Sequence, residues 1–122
     1  MTTSDDALPL TPLSMAILLA LAGGDRHGYA LMKDIERQTD GTLKPGTGSL
    51  YAALQRLMDD GLIEESPKLP TADHDQRRRY YRITEAGRDV VLAEARRMTR
   101  VLDVARERRL VPDLAPAEER GR

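Results

Sequence analysis

Residues 44–61 read Lys44-Pro45-Gly46-Thr47-Gly48-Ser49-Leu50-Tyr51-Ala52-Ala53-Leu54-Gln55-Arg56-Leu57-Met58-Asp59-Asp60-Gly61. A short turn-rich lead-in ends at Thr47, whose hydroxyl suits a helix cap. Gly61 suits the left-handed residue that closes a helix. Between them, Leu50, Leu54, Leu57 and Met58 recur at helical spacing and define a core side. At about 100° per residue the opposite side carries Gly48, Ser49, Ala52, Gln55, Arg56 and Asp59. The first three are small and would let the helix backbone approach a groove. Ser49 can reach a phosphate or a base edge, Ala52 can touch a thymine methyl, and Gln55 pairs a donor with an acceptor as adenine requires. Lys44, Thr47 and the open amides at the helix start favour an anion. Tyr51 falls at the flank, half-packed, with its hydroxyl directed toward a nucleic-acid backbone. Taken alone, the same face also describes an ordinary solvated helix, so the surrounding elements decide.

Upstream, Thr11-Pro12 is a helix start, and Leu13, Met15, Ile17, Leu18, Leu19 and Leu21 make the helix apolar nearly all round. Gly23-Gly24 ends it. A second helix begins near His27-Gly28, with Tyr29, Leu31, Met32 and Ile35 on one side and Lys33, Asp34, Glu36 and Arg37 on the other; Asp40-Gly41 stops it. A buried helix followed by two helices across a short turn is the helix-turn-helix order.

Downstream, residues 62–66 form a short strand, and a polar loop follows with Pro67, Pro70 and Asp73-His74-Asp75. Residues 78–84 return as a second strand in which Tyr81 and Ile83 face one way, Tyr80 and Arg82 the other. The hairpin carries Arg77, Arg78 and Arg79; such a run is often only solvated charge, but here it lies on a wing. Thr84-Glu85 opens a long helix reaching about Arg109. Its Val91, Ala95, Met98, Leu102 and Ala105 are spaced four, three, four and three, a heptad seam suited to a partner helix. The organisation is therefore a flexible N-terminal arm (1–10), a winged helix-turn-helix domain (11–84), a C-terminal dimerisation helix (85–110) and a disordered tail (111–122). The fold class is mainly α with a small β-hairpin.

Composition narrows the function. The 122 residues hold 40% hydrophobic and 32% charged residues at a net charge of −1, as in soluble single-domain proteins. No cysteine is present, which excludes disulfides and thiol catalysis and fits a reducing cytoplasm. The N-terminus is acidic, unlike a signal peptide, and the apolar run 13–22 is about half a membrane span. Asp73-His74-Asp75 is one loop triplet, which rarely completes a metal site. No nucleophile constellation or phosphate-cradling glycine loop supports an enzyme, and no cofactor is implied.

Several stretches, in order and spacing, resemble the PadR family of transcriptional regulators. They are His27-Gly28-Tyr29, the run from Lys44 to Tyr51, Leu54-Gln55-Arg56-Leu57, Asp60-Gly61-Leu62-Ile63 and the run from Arg79 to Gly87. The resemblance spans Leu10 to about Arg109, and the single C-terminal helix is similar to the smaller branch of the family. It implies a homodimer that binds an inverted-repeat operator in duplex DNA, as a repressor. It places DNA contacts on Thr47, Ser49 and Tyr51, supported by Lys44 and the wing arginines; Ala52, Gln55 and Arg56 rest on the helical wheel alone. His27, which either caps the second helix or meets phosphate, and Tyr29 complete the candidate DNA-binding set. Some relatives hold flat aromatic drugs between tryptophans, but this chain has neither Trp nor Phe. A small-molecule effector stays open: Met15, Met98 and leucines line a pocket or simply pack the core and dimer seam. The alternative function is a winged helix used as a protein-interaction module without DNA binding.

Overall fold

Thr11 caps the first helix, α1 (Pro12–Ala22), accepting a hydrogen bond from the Ser14 amide at 3.1 Å. The computed structural model describes residues 9–67 and 79–112. Ile17, Leu18, Ala20 and Leu21 of α1 are buried, and the helix touches three other helices and a strand, so it is the hub of the core. A helix apolar on nearly every side has that position as its stable outcome, each buried leucine contributing about 1.5–3 kcal/mol.

Strand β1 (Arg26–His27) leads directly into α2 (Gly28–Gln38), whose Leu31 and Ile35 face the core. Asp40 (φ 52°) and Gly41 (φ 80°) reverse the chain after it. Helix α3 (Thr47–Asp59) buries Leu50, Leu54 and Leu57, as the periodicity predicts, and Ala53 besides, while Met58 is half-buried against the same core. Gly61 closes it at φ 76°, with its amide on the Met58 carbonyl and that of Leu62 on the Leu57 carbonyl, both at 3.0 Å. This places Leu62 in the core, the hydrophobic contact that accompanies such a closure.

Strands β2 (Ile63–Glu65) and β3 (Tyr80–Ile83) form the antiparallel hairpin. It is one half of a three-stranded sheet of order β1-β3-β2, in which His27 pairs with Tyr80 and Arg26 with Tyr81. The third strand changes one expectation. Tyr80 does not alternate to the outside with Arg82 but is buried, because the His27 ring packs edge-on against it with centroids 5.2 Å apart. The loop triplet Asp73-His74-Asp75 lies outside the described residues.

Helix α4 (Glu85–Glu107) has two unlike halves. Near its start, Gly87, Val90 and Glu94 are buried against the domain, and Val91 packs on the same core. Gly87 permits this docking: a β-carbon there would overlap the Leu62 carbonyl oxygen and lie 2.7 Å from Ile83 Cγ1. Glu94 accepts from the Leu10 amide at 2.8 Å and from the Arg97 guanidinium. Beyond it the helix leaves the domain, with Met98 44% and Val101 56% exposed. Among the described residues, no helix is long and apolar enough to cross a membrane.

Candidate nucleic-acid interface

The outer face of α3 carries the side chains singled out from the sequence. Thr47, Gly48, Ser49, Tyr51, Ala52, Gln55, Arg56 and Asp59 are all exposed, and Lys44 is exposed just before them. The start of the helix corrects one expectation. Thr47 is not the cap but the first helical residue; Gly46 occupies the cap position, extended at φ −72°, ψ 163°, and no side chain caps the helix. The Leu50 amide is the first to find an intrahelical acceptor, the Gly46 carbonyl at 2.9 Å. The amides of Thr47, Gly48 and Ser49 therefore point out of the helix end beside three small or hydroxyl side chains, an arrangement that attracts an anion.

Further along, the Gln55 side-chain amide donates to Asp59 at 3.0 Å. Reading a base with Gln55 requires that intrahelical bond to open. Arg56 is exposed beside it. Tyr51 is 46% exposed, and its hydroxyl lies against the α-carbon of Gly28: a β-carbon on Gly28 would overlap that oxygen and sit 3.0 Å from Cζ. The recognition-helix candidate thus leans on the first turn of α2.

That first turn is built by His27, whose Nδ1 accepts from the Ala30 amide at 3.3 Å. The cap requires a lone pair on Nδ1, so the ring proton sits on Nε2. Tyr29 is 59% exposed on the outside of α2, with Lys33 Nζ 5.5 Å from its ring centroid. Through the β1–β3 pairing the same corner meets the root of the wing, where Arg79 is exposed. Arg77 and Arg78 lie outside the described residues. One corner of the fold therefore gathers His27, Tyr29 and Tyr51 next to Arg79, with Thr47 and Ser49 on the turn of α3 that precedes Tyr51.

Gly28 was missed by the sequence reasoning as a contributor to this corner; a helical-wheel reading ignores a residue without a side chain. Arg26 was missed as well. Its Nε donates to the Ala20 carbonyl at 2.9 Å, and its charge faces Asp34 at 4.0 Å. Hydrogen bonds from Gln38 and Arg37, with help from the Arg26 charge, hold the Asp34 carboxyl below its ordinary range against the opposing effect of burial. This network ties α2 to α1, since Gln38 also donates to the Ala16 carbonyl at 2.9 Å. Burial pushes the Tyr81 phenol above its ordinary range.

The five seam residues on α4 divide. Val91 packs against its own domain, Ala95 and Met98 are exposed, and Leu102 and Ala105 are half-buried. Val101 and Val104 extend the same apolar surface but break the heptad, and were not assigned to it. Met15 is buried in the core and Met98 is exposed on α4. Among the described residues, no three metal-ligating side chains cluster.

Comparison with known proteins gives the corner its context. Residues 17–93 match the transcriptional regulator PadR-like family. An uncharacterized 37.1 kDa protein of transposon TN4556 from Streptomyces fradiae is 38% identical over 87 residues, which cover 71% of this chain but only 23% of that relative. The solved structure of a transcriptional regulator from Clostridium thermocellum is 28% identical with a TM-score of 0.65, covering 78% of this chain and 87% of that one. A PadR family transcription regulator from Clostridium difficile shares the fold at 21% identity and a TM-score of 0.67, over 80% of this chain and 97% of that one. The match spans the second half of α1 through the first part of α4, including both helices of the candidate interface. The chain belongs to the PadR-like family of transcriptional regulators.

Proposed function

We propose that this regulator binds duplex DNA sequence-specifically as a homodimer, acting as a repressor on an inverted-repeat operator. The exposed, small-residue start of α3 with its three open amides carries the proposal. Thr47, Ser49 and Lys44 hold phosphate and set the register, while Ala52, Gln55 and Arg56 face the base edges of the major groove. His27, Tyr29 and Tyr51 line the adjoining backbone, and Arg77, Arg78 and Arg79 on the wing add cationic contacts. The projecting half of α4, through Ala95, Met98, Leu102 and Ala105, pairs with a second copy, with Val91 at its base. Two recognition helices then meet half-sites about one helical turn apart, near 10–10.5 base pairs. Relief by a small molecule belongs to the same proposal, with no ligand named.

Leu102→Glu tests it. The substitution places a carboxylate on each side of a two-fold seam. Light scattering should show a monomer with unchanged circular dichroism, and operator affinity should collapse while weak, salt-sensitive binding to random DNA survives. A dimeric Leu102→Glu with wild-type operator affinity removes the seam assignment. A wild-type protein that binds no duplex DNA across its own promoter region makes the winged helix a protein-interaction module instead.

A further inference from the structure

Gly28 poses a question that backbone geometry does not answer. It is the first residue of α2, buried, and its φ is not positive, so no turn demands a glycine there. Glycine loses more conformational entropy than alanine on entering a helix. What excludes a side chain is Tyr51: its hydroxyl oxygen occupies the place a β-carbon would take, and its Cζ would lie 3.0 Å away. The ring is 46% exposed, so one edge rests on α2 while the rest remains on the outer face of α3.

The two sides of that contact are otherwise fixed. The first turn of α2 is held by the His27 cap on the Ala30 amide, at 3.3 Å, and by the edge-on contact of His27 with Tyr80. The first half of α3 is held by Leu50, Ala53 and Leu54 in the core. A tyrosine on an exposed helix face ordinarily samples several rotamers; this one is seated in a notch between two anchored elements.

We infer that Gly28 is a positioning residue for DNA binding: its missing side chain is the notch that holds the Tyr51 ring in one pose beside the open start of α3. This rests on the proposal that Tyr51 meets the DNA backbone. A β-carbon at position 28 forces the ring to swing away, and the hydroxyl leaves the position from which it reaches a phosphate.

Gly28→Ala, Tyr51→Ala and the double variant, each as the full chain, decide the matter through two readouts, melting temperature and operator affinity. In the wild-type background Gly28→Ala should leave circular dichroism and oligomeric state unchanged and weaken operator binding about ten- to a hundredfold, the loss expected of one hydrogen bond to a charged group. In the Tyr51→Ala background the same substitution should leave affinity where Tyr51→Ala put it and raise the melting temperature, because alanine is then the better helix former with room to spare. A purely structural role for Gly28 predicts the same change in both backgrounds. Folded Gly28→Ala protein with wild-type affinity, while Tyr51→Ala is impaired, overturns the inference and leaves the DNA-binding proposal standing. Wild-type affinity in Tyr51→Ala overturns both the inference and the placing of Tyr51 on DNA. Should Gly28→Ala fail to fold, rescue of folding by Tyr51→Ala upholds the notch, and failure of the double variant as well overturns it.

Discussion

Helices α3 and α4 both follow the same kind of signal, a threonine at the start, and end up with opposite chemistry. Thr84 caps α4: its Oγ1 accepts from the Gly87 amide at 3.1 Å and donates to the Gly61 carbonyl at 2.7 Å. Thr47 caps nothing, and α3 begins one residue earlier on Gly46 with no side-chain partner for its amides. Thr11 and His27 cap α1 and α2 as well, so among the described residues α3 is the one long helix that keeps its start open. Of the capped starts, His27 and Thr84 are half-buried and Thr11 is exposed; the open start of α3 is exposed from Gly46 to Ser49. Three helices satisfy an amide at their own starts with a side chain, and the helix proposed to meet an anion end-on leaves its donors available.

The largest effect expected of this contrast is at Gly87. A side chain there meets the backbone carbonyl of Leu62, which cannot rotate aside, so α4 must lift from the sheet. Gly87→Ala should cost about 1–3 kcal/mol or more, read as a lower urea midpoint. An unchanged midpoint would show that α4 does not dock through its first turn.

Next comes the threonine pair. Thr84→Ala loses a cap and a bond to Gly61, and should cost about 0.5–2 kcal/mol. Thr47→Ala should stay within about 0.5 kcal/mol of wild type while weakening operator binding. Equal stability losses in the two variants would erase the distinction drawn between the helix starts.

Glu94 sharpens the structural side of the comparison through pH. The hydrogen bond from Arg97, aided by the Leu10 amide, lowers its carboxyl below the ordinary glutamate value despite burial. A carboxyl whose folded pKa is depressed contributes stability above its unfolded pKa and loses it as pH falls through the folded one. Wild-type stability should therefore fall more steeply than that of Glu94→Gln below about pH 4.5. Asp34 is lowered too, so the variant keeps a residual acid slope. Parallel acid limbs for the two proteins would place the Glu94 contribution at zero.

The core and the exposed face of α3 were legible because a leucine stripe and its complement follow from one period. The cap was misread by a single residue: a capping hydroxyl and a first-turn hydroxyl look alike until the backbone of Gly46 is known to be extended. Strand β1 was not legible at all, since two residues carry no alternation, and the burial of Tyr80 follows only from its pairing with His27. Glu94 occupies a core position in the Gly87, Val90, Glu94 series, but charge argues for the surface unless its partners on Arg97 and Leu10 are visible. The heptad on α4 likewise does not reveal that Val91 belongs to the domain and only the later positions project from it.

Gly46 offers a small gain in stability and the cleanest separation of the two roles. Its backbone is extended rather than left-handed, and a β-carbon there would meet nothing within 4 Å, so any small residue fits. Gly46→Asn supplies the side-chain acceptor that α3 lacks, and Gly46→Asp supplies the same acceptor with a negative charge. Both should gain a few tenths of a kcal/mol, with up to about 1 kcal/mol for Asp from the helix dipole. Both should also weaken DNA binding, because the cap occupies an amide that phosphate would otherwise use. Asp should weaken it further by repelling the phosphate, and it should flatten the salt dependence as a contact is lost. A stabilised protein that binds its operator less well is the expected signature of an end kept open for a ligand. If Gly46→Asp instead binds with wild-type affinity and salt dependence, the start of α3 does not sit on phosphate. The open amides would then be only a solvated helix end.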